Sequence, residues 1–299
     1  MITAVRLFAL ACLALMAPLA TAQEAFPTQE AAVQALVTAL GTTKVDEPRL
    51  GAILGPDWVI YVPRGSVERS DVDAFLVRYR EKHSFQTPAP GRAILAVGKD
   101  TWTLPIPLEK KPDGWKFNVK AGETEIRARR IGRNELAAVQ AALAYHDAQM
   151  DYASIDRNGN GVLEYAQQFL SSDGLHDGLY WPEENGIDDS PLGPLFGDDT
   201  PDGEWHGYKY RILTAQGPSA PGGEYDYLIG DSMSRGFALV AWPARYADTG
   251  VMSFMISHEG EVFEKDMGPE SEKLAEAMTR FDPDSSWKEV PTDTAAAAK

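Results

Sequence analysis

Cysteine is almost missing from this chain. One occurs in 299 residues, Cys12, and it lies in a segment that reads as a removable leader. A mature chain without thiols has no disulfide framework, no cysteine nucleophile and no cysteine-based zinc site. Positive charge is also scarce. Lys and Arg number 28 against 44 Asp and Glu, for a formal net charge of −16 that becomes −17 once Arg6 leaves with the leader. That balance argues against nucleic acid or an anionic membrane as a partner held by bulk charge. Long apolar runs are lacking beyond the first 22 residues; those present, such as Val251 to Ile256, are strand-sized and far short of a membrane span. Nucleophile and metal signatures are absent too. There is no GxSxG, HExxH or HxH, and the Gly-rich turn Gly217 to Gly223 has no Lys-Ser/Thr after it.

The leader itself is well formed. Arg6 precedes an apolar stretch from Leu7 to Leu19, and Ala20-Thr21-Ala22 supplies the small-x-small pattern of a cleavage site before Gln23. Residues 1–22 are therefore expected to be a signal peptide, and the mature chain to be periplasmic or secreted. A transmembrane anchor is the alternative, but the stretch is short and Pro18 interrupts its end. Ala9-Leu10-Ala11 before Cys12 makes a poor lipoprotein signal. The mature 277 residues must then hold together through apolar cores, for which a hydrophobic content of 44% and seven Trp are adequate.

Periodicity predicts an α+β fold in two domains, residues 23–121 and 122–288, with a disordered tail at 289–299. Thr28 can cap a first helix, with Val33, Leu36, Val37 and Leu40 on one face and Gly41 at its end. Asp46 to Leu54 reads as a second helix with Pro48 in its first turn. A capping-box pattern from Ser70 leads a third through Val72, Phe75, Leu76 and Tyr79. Strands are expected at 93–97 and at 115–119 after the turn Lys111 to Gly114, and 101–108, with its alternate prolines, reads as an edge strand or an extended loop. Trp102 and Trp115 should lie on neighbouring strands. Helices followed by a small sheet resemble the cystatin-like or nuclear-transport-factor-like cone. The second domain begins with a helical segment from about Glu123 to Ser154, with a break or kink at Gly132 that Asn134 can recap and a stripe of Leu136, Val139, Leu143 and Met150. An irregular excursion at 171–205 follows. An antiparallel meander then runs through 206–215, 224–230, 235–243, 250–257 and 262–265, before a last helix from Pro269.

A long helix followed by an antiparallel meander resembles the globular part of type IV pilins and pseudopilins. The chain departs from them in lacking an apolar assembly helix at the mature N-terminus, and its own helix carries Arg127, Arg129, Arg130 and Arg133. A second resemblance covers nearly the whole mature chain. The segments GKDTWTLPIPL, RRIGRNELAAVQ, YASIDRNGNGVLEYAQ, DGLYWP, YKYRILTAQGP, GFALVAWPA and TRFDPDSSW resemble the bacterial family catalogued as domain of unknown function 2950. The resemblance implies an exported protein and carries over no catalytic residues.

The sharpest chemical pattern is Asp156-Arg157-Asn158-Gly159-Asn160-Gly161-Val162-Leu163-Glu164. It matches the first nine positions of a calcium loop, with side-chain oxygens at one, three and five, Gly at six and an acid at nine. The expected ligands are Asp156, Asn158, Asn160, the Val162 carbonyl, Glu164 and, at position twelve, Gln167, where a strong site has a bidentate Glu. The competing reading is a Gly/Asn turn at a helix end. The arginine cluster reads as an anion or partner site or as internal ion pairs. Glu183-Glu184 and Asp188-Asp189 read as solvated surface. The aromatic run DGLYWP, Asp177 to Pro182, reads either as a binding surface or as packing.

Three functions follow. The favoured one is a non-enzymatic binding or adaptor module, partnered by an envelope protein or ligand and steadied by calcium. The second is an envelope hydrolase, which would need two or more of His146, His176, His206, Asp177 and Glu204 in one cleft. The third is a component of an envelope or surface assembly.

Overall fold

The computed structural model describes residues 23–182, 190–192 and 204–291. The leader, the paired acids from Glu183 to Asp189 and the tail beyond residue 291 lie outside the described residues. The chain divides into two compact units between Ile126 and Arg127.

The first unit opens with α1 (Gln29–Leu40), α2 (Glu47–Leu54), α3 (Trp58–Tyr61) and α4 (Arg69–Glu81). Local chemistry sets their ends. Thr28 accepts a hydrogen bond from the Ala31 N–H at 3.1 Å, Asp46 accepts one from Arg49 N–H at 3.0 Å, and Pro48 sits in the first turn of α2. The capping box of α4 uses Glu68 and Asp71, so this helix starts slightly earlier than its Ser70 pattern suggests. Five strands follow: β1 (His83–Ala89), β2 (Arg92–Val97), β3 (Trp102–Thr103), β4 (Leu108–Lys111) and β5 (Gly114–Phe117). They form an antiparallel sheet in the order β1-β2-β4-β5, with β3 also paired to β2. Trp102 and Trp115 thus share a sheet but not adjacent strands, because β3 pairs with β2 and β5 with β4. The prolines at 105 and 107 explain this, since they interrupt the ladder between β3 and β4. Helices α1 and α2 pack on β5 and α4 on β1 and β2, around a core that includes Val33, Leu36, Ile53, Leu95 and Leu108.

Helix α5 (Val119–Tyr152) begins in the first unit and runs for most of its length in the second. It is uninterrupted for 34 residues, so the expected break at Gly132 does not occur. Packing overrides the local cost of one glycine, about 1 kcal/mol, and Asn134 donates to the Thr249 carbonyl at 2.8 Å instead of capping. The buried line of the helix is Ala138, Ala142, Tyr145, Ala148 and Tyr152, whereas Met150 is exposed. This line is built largely from small alanines that join the apolar core of the second unit, which a search for large apolar residues overlooks.

The second unit continues with β6 (Tyr208–Leu213), β7 (Ala215–Gln216), β8 (Tyr225–Asp226), β9 (Leu228–Ile229), β10 (Ser232–Met233), β11 (Ala238–Pro243), β12 (Met252–Ser257), β13 (Val262–Asp266), α6 (Ser271–Ala277) and β14 (Lys288–Glu289). The main sheet is antiparallel in the order β14-β13-β12-β11-β6. The meander therefore loses one expected member. Residues 224–230 leave the sheet and form two small ladders, β7 with β8 and β9 with β10. Every residue of β11 is buried, as a central strand covered on both faces requires. The tail expected from residue 289 starts inside β14, where Glu289 pairs with Phe263 and Val290 N–H donates to Val262 O at 2.8 Å.

Candidate functional site

The Asp156 loop leaves the end of α5 and leads into extended chain, not a second helix. Its short polar side chains fold the backbone around themselves. The two Asp156 carboxylate oxygens accept Gly159 N–H at 2.8 Å and Gly161 N–H at 2.9 Å. Asn158 Oδ1 accepts Asn160 N–H at 3.0 Å, and Asn160 Oδ1 accepts Val162 N–H at 2.8 Å. Gly159 and Gly161 hold φ of 72° and 82°, a left-handed backbone that a side chain would resist. Glu164 returns to the loop, where its Oε1 accepts from the amide groups of both Asn158 and Asn160. Asp156, Asn158, Asn160 and Glu164 are thus brought together, with Val162 in line.

Gln167 is not gathered with them. Tyr165 N–H donates to Met233 O at 2.7 Å and Gln167 Nε2 donates to Asp231 O at 2.7 Å, so the chain after Glu164 is drawn onto the β9–β10 hairpin. Among the described residues, no group of three or more His, Cys, Asp or Glu is placed to hold a metal ion. The loop has only two carboxylates and relies on amide and carbonyl oxygens for the rest.

Beside the loop stands a frame of aromatic rings. Tyr152 donates its hydroxyl to His176 O at 2.8 Å, and the His176 ring stacks on Trp181 with centroids 4.4 Å apart. Burial, reinforced by the charges of Glu164 and Asp177, pushes the Tyr152 hydroxyl up to about 12, while Arg157 acts in the opposite direction. Asp177 accepts from Ser172 N–H at 2.7 Å and its hydroxyl at 2.8 Å. Burial works against ionisation there, but these bonds outweigh it and hold the carboxyl below its usual range. Of the DGLYWP run, Leu179, Tyr180 and Trp181 pack against or within the core.

The remaining candidates have separate partners. His146 Nε2 lies 3.3 Å from His258 O, and Glu204 pairs with Arg245 at 3.3 Å. Arg130 is bound to Asp248. Sequence reasoning missed a second cluster around His258. Its Nε2 is 3.3 Å from the Tyr225 hydroxyl and 3.5 Å from Glu259 Oε1, Arg235 lies over the Tyr225 ring, and its Nδ1 is buried without a hydrogen bond. Burial lowers the His258 pKa from its ordinary value, with His146 acting in the same direction and Glu259 against it.

A family model described as protein of unknown function (DUF2950) matches residues 23–290. No curated protein matches the chain, and neither does any solved structure. The likeness to pilins therefore gains no support from a solved fold.

Proposed function

The chain belongs to DUF2950, a family of proteins of unknown function, and from that premise we propose that it is an exported, non-enzymatic binding or adaptor module of the cell envelope, steadied by calcium at the Asp156 loop. The leader pattern supports export, as does the family match, which starts at Gln23, the residue after the cleavage pattern. Among the described residues no helix is long and apolar enough to cross a membrane.

One observation carries the calcium reading. Each side-chain oxygen of Asp156, Asn158 and Asn160 is turned inward by a backbone N–H, yet each keeps a further lone pair for a cation. Glu164 supplies the second charge, and the Val162 carbonyl completes five ligand groups. Two charges and no bidentate carboxylate at position twelve put the dissociation constant near 10⁻⁴ to 10⁻³ M, the class of extracellular modules. At one to ten times that concentration calcium adds about 0.4 to 1.4 kcal/mol of stability by mass action. The test is a melting curve with and without millimolar calcium. The midpoint should rise for the wild type and not for Asp156→Ala; no rise, or a rise that survives the substitution, overturns the reading. Recovery of a defined envelope partner with the native protein would identify what the module serves.

A further inference from the structure

Arg157 sits at the second position of the Asp156 loop, yet its side chain is only 7% exposed. Its guanidinium carbon lies 5.2 Å from the ring centroid of Tyr152 and 5.2 Å from that of Trp181. Both rings belong to the core, at 4% and 5% exposure. Nε donates to Tyr152 O at 3.2 Å, which fixes the plane of the group. Among the described residues the terminal nitrogens have no such hydrogen-bond partner. They form a loose ion pair with Asp151 at 3.9 Å, beyond hydrogen-bond distance, and that carboxylate is 61% exposed.

A guanidinium taken out of water with one loose ion pair and terminal N–H groups that meet no acceptor is unfavourable. Its aromatic neighbours satisfy the charge in part through their faces, but they supply no acceptor for the remaining N–H groups. What those donors match is a planar oxyanion, held by parallel N–H···O bonds from the fork. We propose that Arg157, clamped between Tyr152 and Trp181, anchors a carboxylate-binding site on the second unit. The surroundings select the anion. Arg157 pairs loosely with Asp151 and shares the surroundings of the Tyr152 hydroxyl with the charges of Glu164 and Asp177, on a chain of net charge −16. One positive charge in that setting suits a monoanionic carboxylate better than a doubly charged phosphate. The carboxylate belongs to a small organic acid or to the C-terminus of a peptide.

This site deepens the binding-module reading and does not depend on calcium. The experiment uses the mature full-length chain in EDTA and follows its Arg Nε–H and Trp indole N–H signals by NMR. The Arg157 signal is identified by its loss in Arg157→Lys. Sodium acetate is titrated against sodium chloride at matched ionic strength, then an acetylated tripeptide with a free C-terminus against its C-terminal amide. Acetate should shift the Arg157 and Trp181 signals saturably in the millimolar range, and chloride should not. Arg157→Lys, which keeps the charge but loses the fork, should weaken binding at least tenfold, read at the indole signals. A free-acid peptide tighter than acetate assigns the site to chain termini; one equal or weaker assigns it to small acids. Shifts that are absent, non-saturable, matched by chloride or undiminished in Arg157→Lys overturn the site. If the lysine variant fails to fold, the indole signal lost in Trp181→Phe identifies the neighbouring ring, and the wild-type acetate and chloride titrations read at that signal still decide. The calcium melting curve is independent, so either idea can fail alone.

Discussion

Gln149 pairs with both backbone polar groups of Ala166: its Nε2 donates to Ala166 O at 2.8 Å and its Oε1 accepts Ala166 N–H at 2.8 Å. The two residues are 0% and 1% exposed. A side chain on α5 thus imitates one rung of a β-ladder and closes the segment that contains the Asp156 loop. The same Nε2 reaches the Tyr145 hydroxyl at 3.0 Å, which in turn donates to Ala238 O on β11.

Gln149→Leu preserves bulk but strands the Ala166 N–H and C=O and takes a donor from Tyr145. Leaving buried polar groups unmade costs roughly 2–4 kcal/mol in sum. Urea unfolding should show a lower midpoint with an unchanged slope. A midpoint equal to the wild type would mean that these groups find other partners.

Two glycines in α5 make an opposed pair. A Cβ at Gly132 would meet nothing within 4 Å, so Gly132→Ala should stabilise by about 0.5–1 kcal/mol through helix propensity. A Cβ at Gly122 would lie 2.3 Å from Pro105 O, a backbone atom that cannot swing aside, so Gly122→Ala should destabilise despite the same propensity gain. Melting midpoints of the two variants, measured side by side, should move in opposite directions.

Acid should weaken the second unit through His258. Its folded pKa lies below the ordinary 6.5 because burial disfavours the imidazolium. The unfolded chain therefore binds more protons in that interval. The contribution is fully present above the ordinary histidine range and is lost as pH falls from about 6.5 toward the lowered folded value. Glu259, His146, Tyr225 and Arg235 surround the ring or its hydrogen-bond partner and modulate the charge. Stability measured by denaturant from pH 7.5 to 5 should fall less steeply in His258→Gln, by up to about 1.4 kcal/mol per pH unit for one proton. Parallel profiles for the two proteins would rule the residue out.

Features encoded by neighbours in sequence were legible before the structure. Thr28, Asp46 and Pro48 mark helix starts because a cap acts over three residues, and the Asp156 loop is readable because its polar residues recur at short spacing. Strands β2, β11 and β12 announce themselves by apolar runs. β1 does not, because it is an exposed edge with Phe85 as its one inward large residue and Pro88 near its end. The hairpin after Glu224 has strand-like residues yet leaves the sheet, since β6 pairs directly with β11 and takes the available edge. Gln167 followed the loop pattern by spacing, but Asp231, distant in sequence, claims its amide. Contacts such as His258 with Tyr225, or Gln149 with Ala166, join residues whose spacing carries no period, and only the folded chain reveals them.

The alanine-lined face of α5 sets the timing of folding. A helix of this length forms in about a microsecond once its residues are free, but the strands that cover Ala138, Ala142 and Tyr145 lie between Tyr208 and Asp266. A ribosome adding roughly 5–20 residues per second needs seconds to supply them. During that wait the face lacks the strands that bury it in the folded second unit. The second unit is thus obliged to fold after synthesis of its sheet, so a holding chaperone, or passage across a membrane in an unfolded state, suits this order of elements better than folding as the chain emerges.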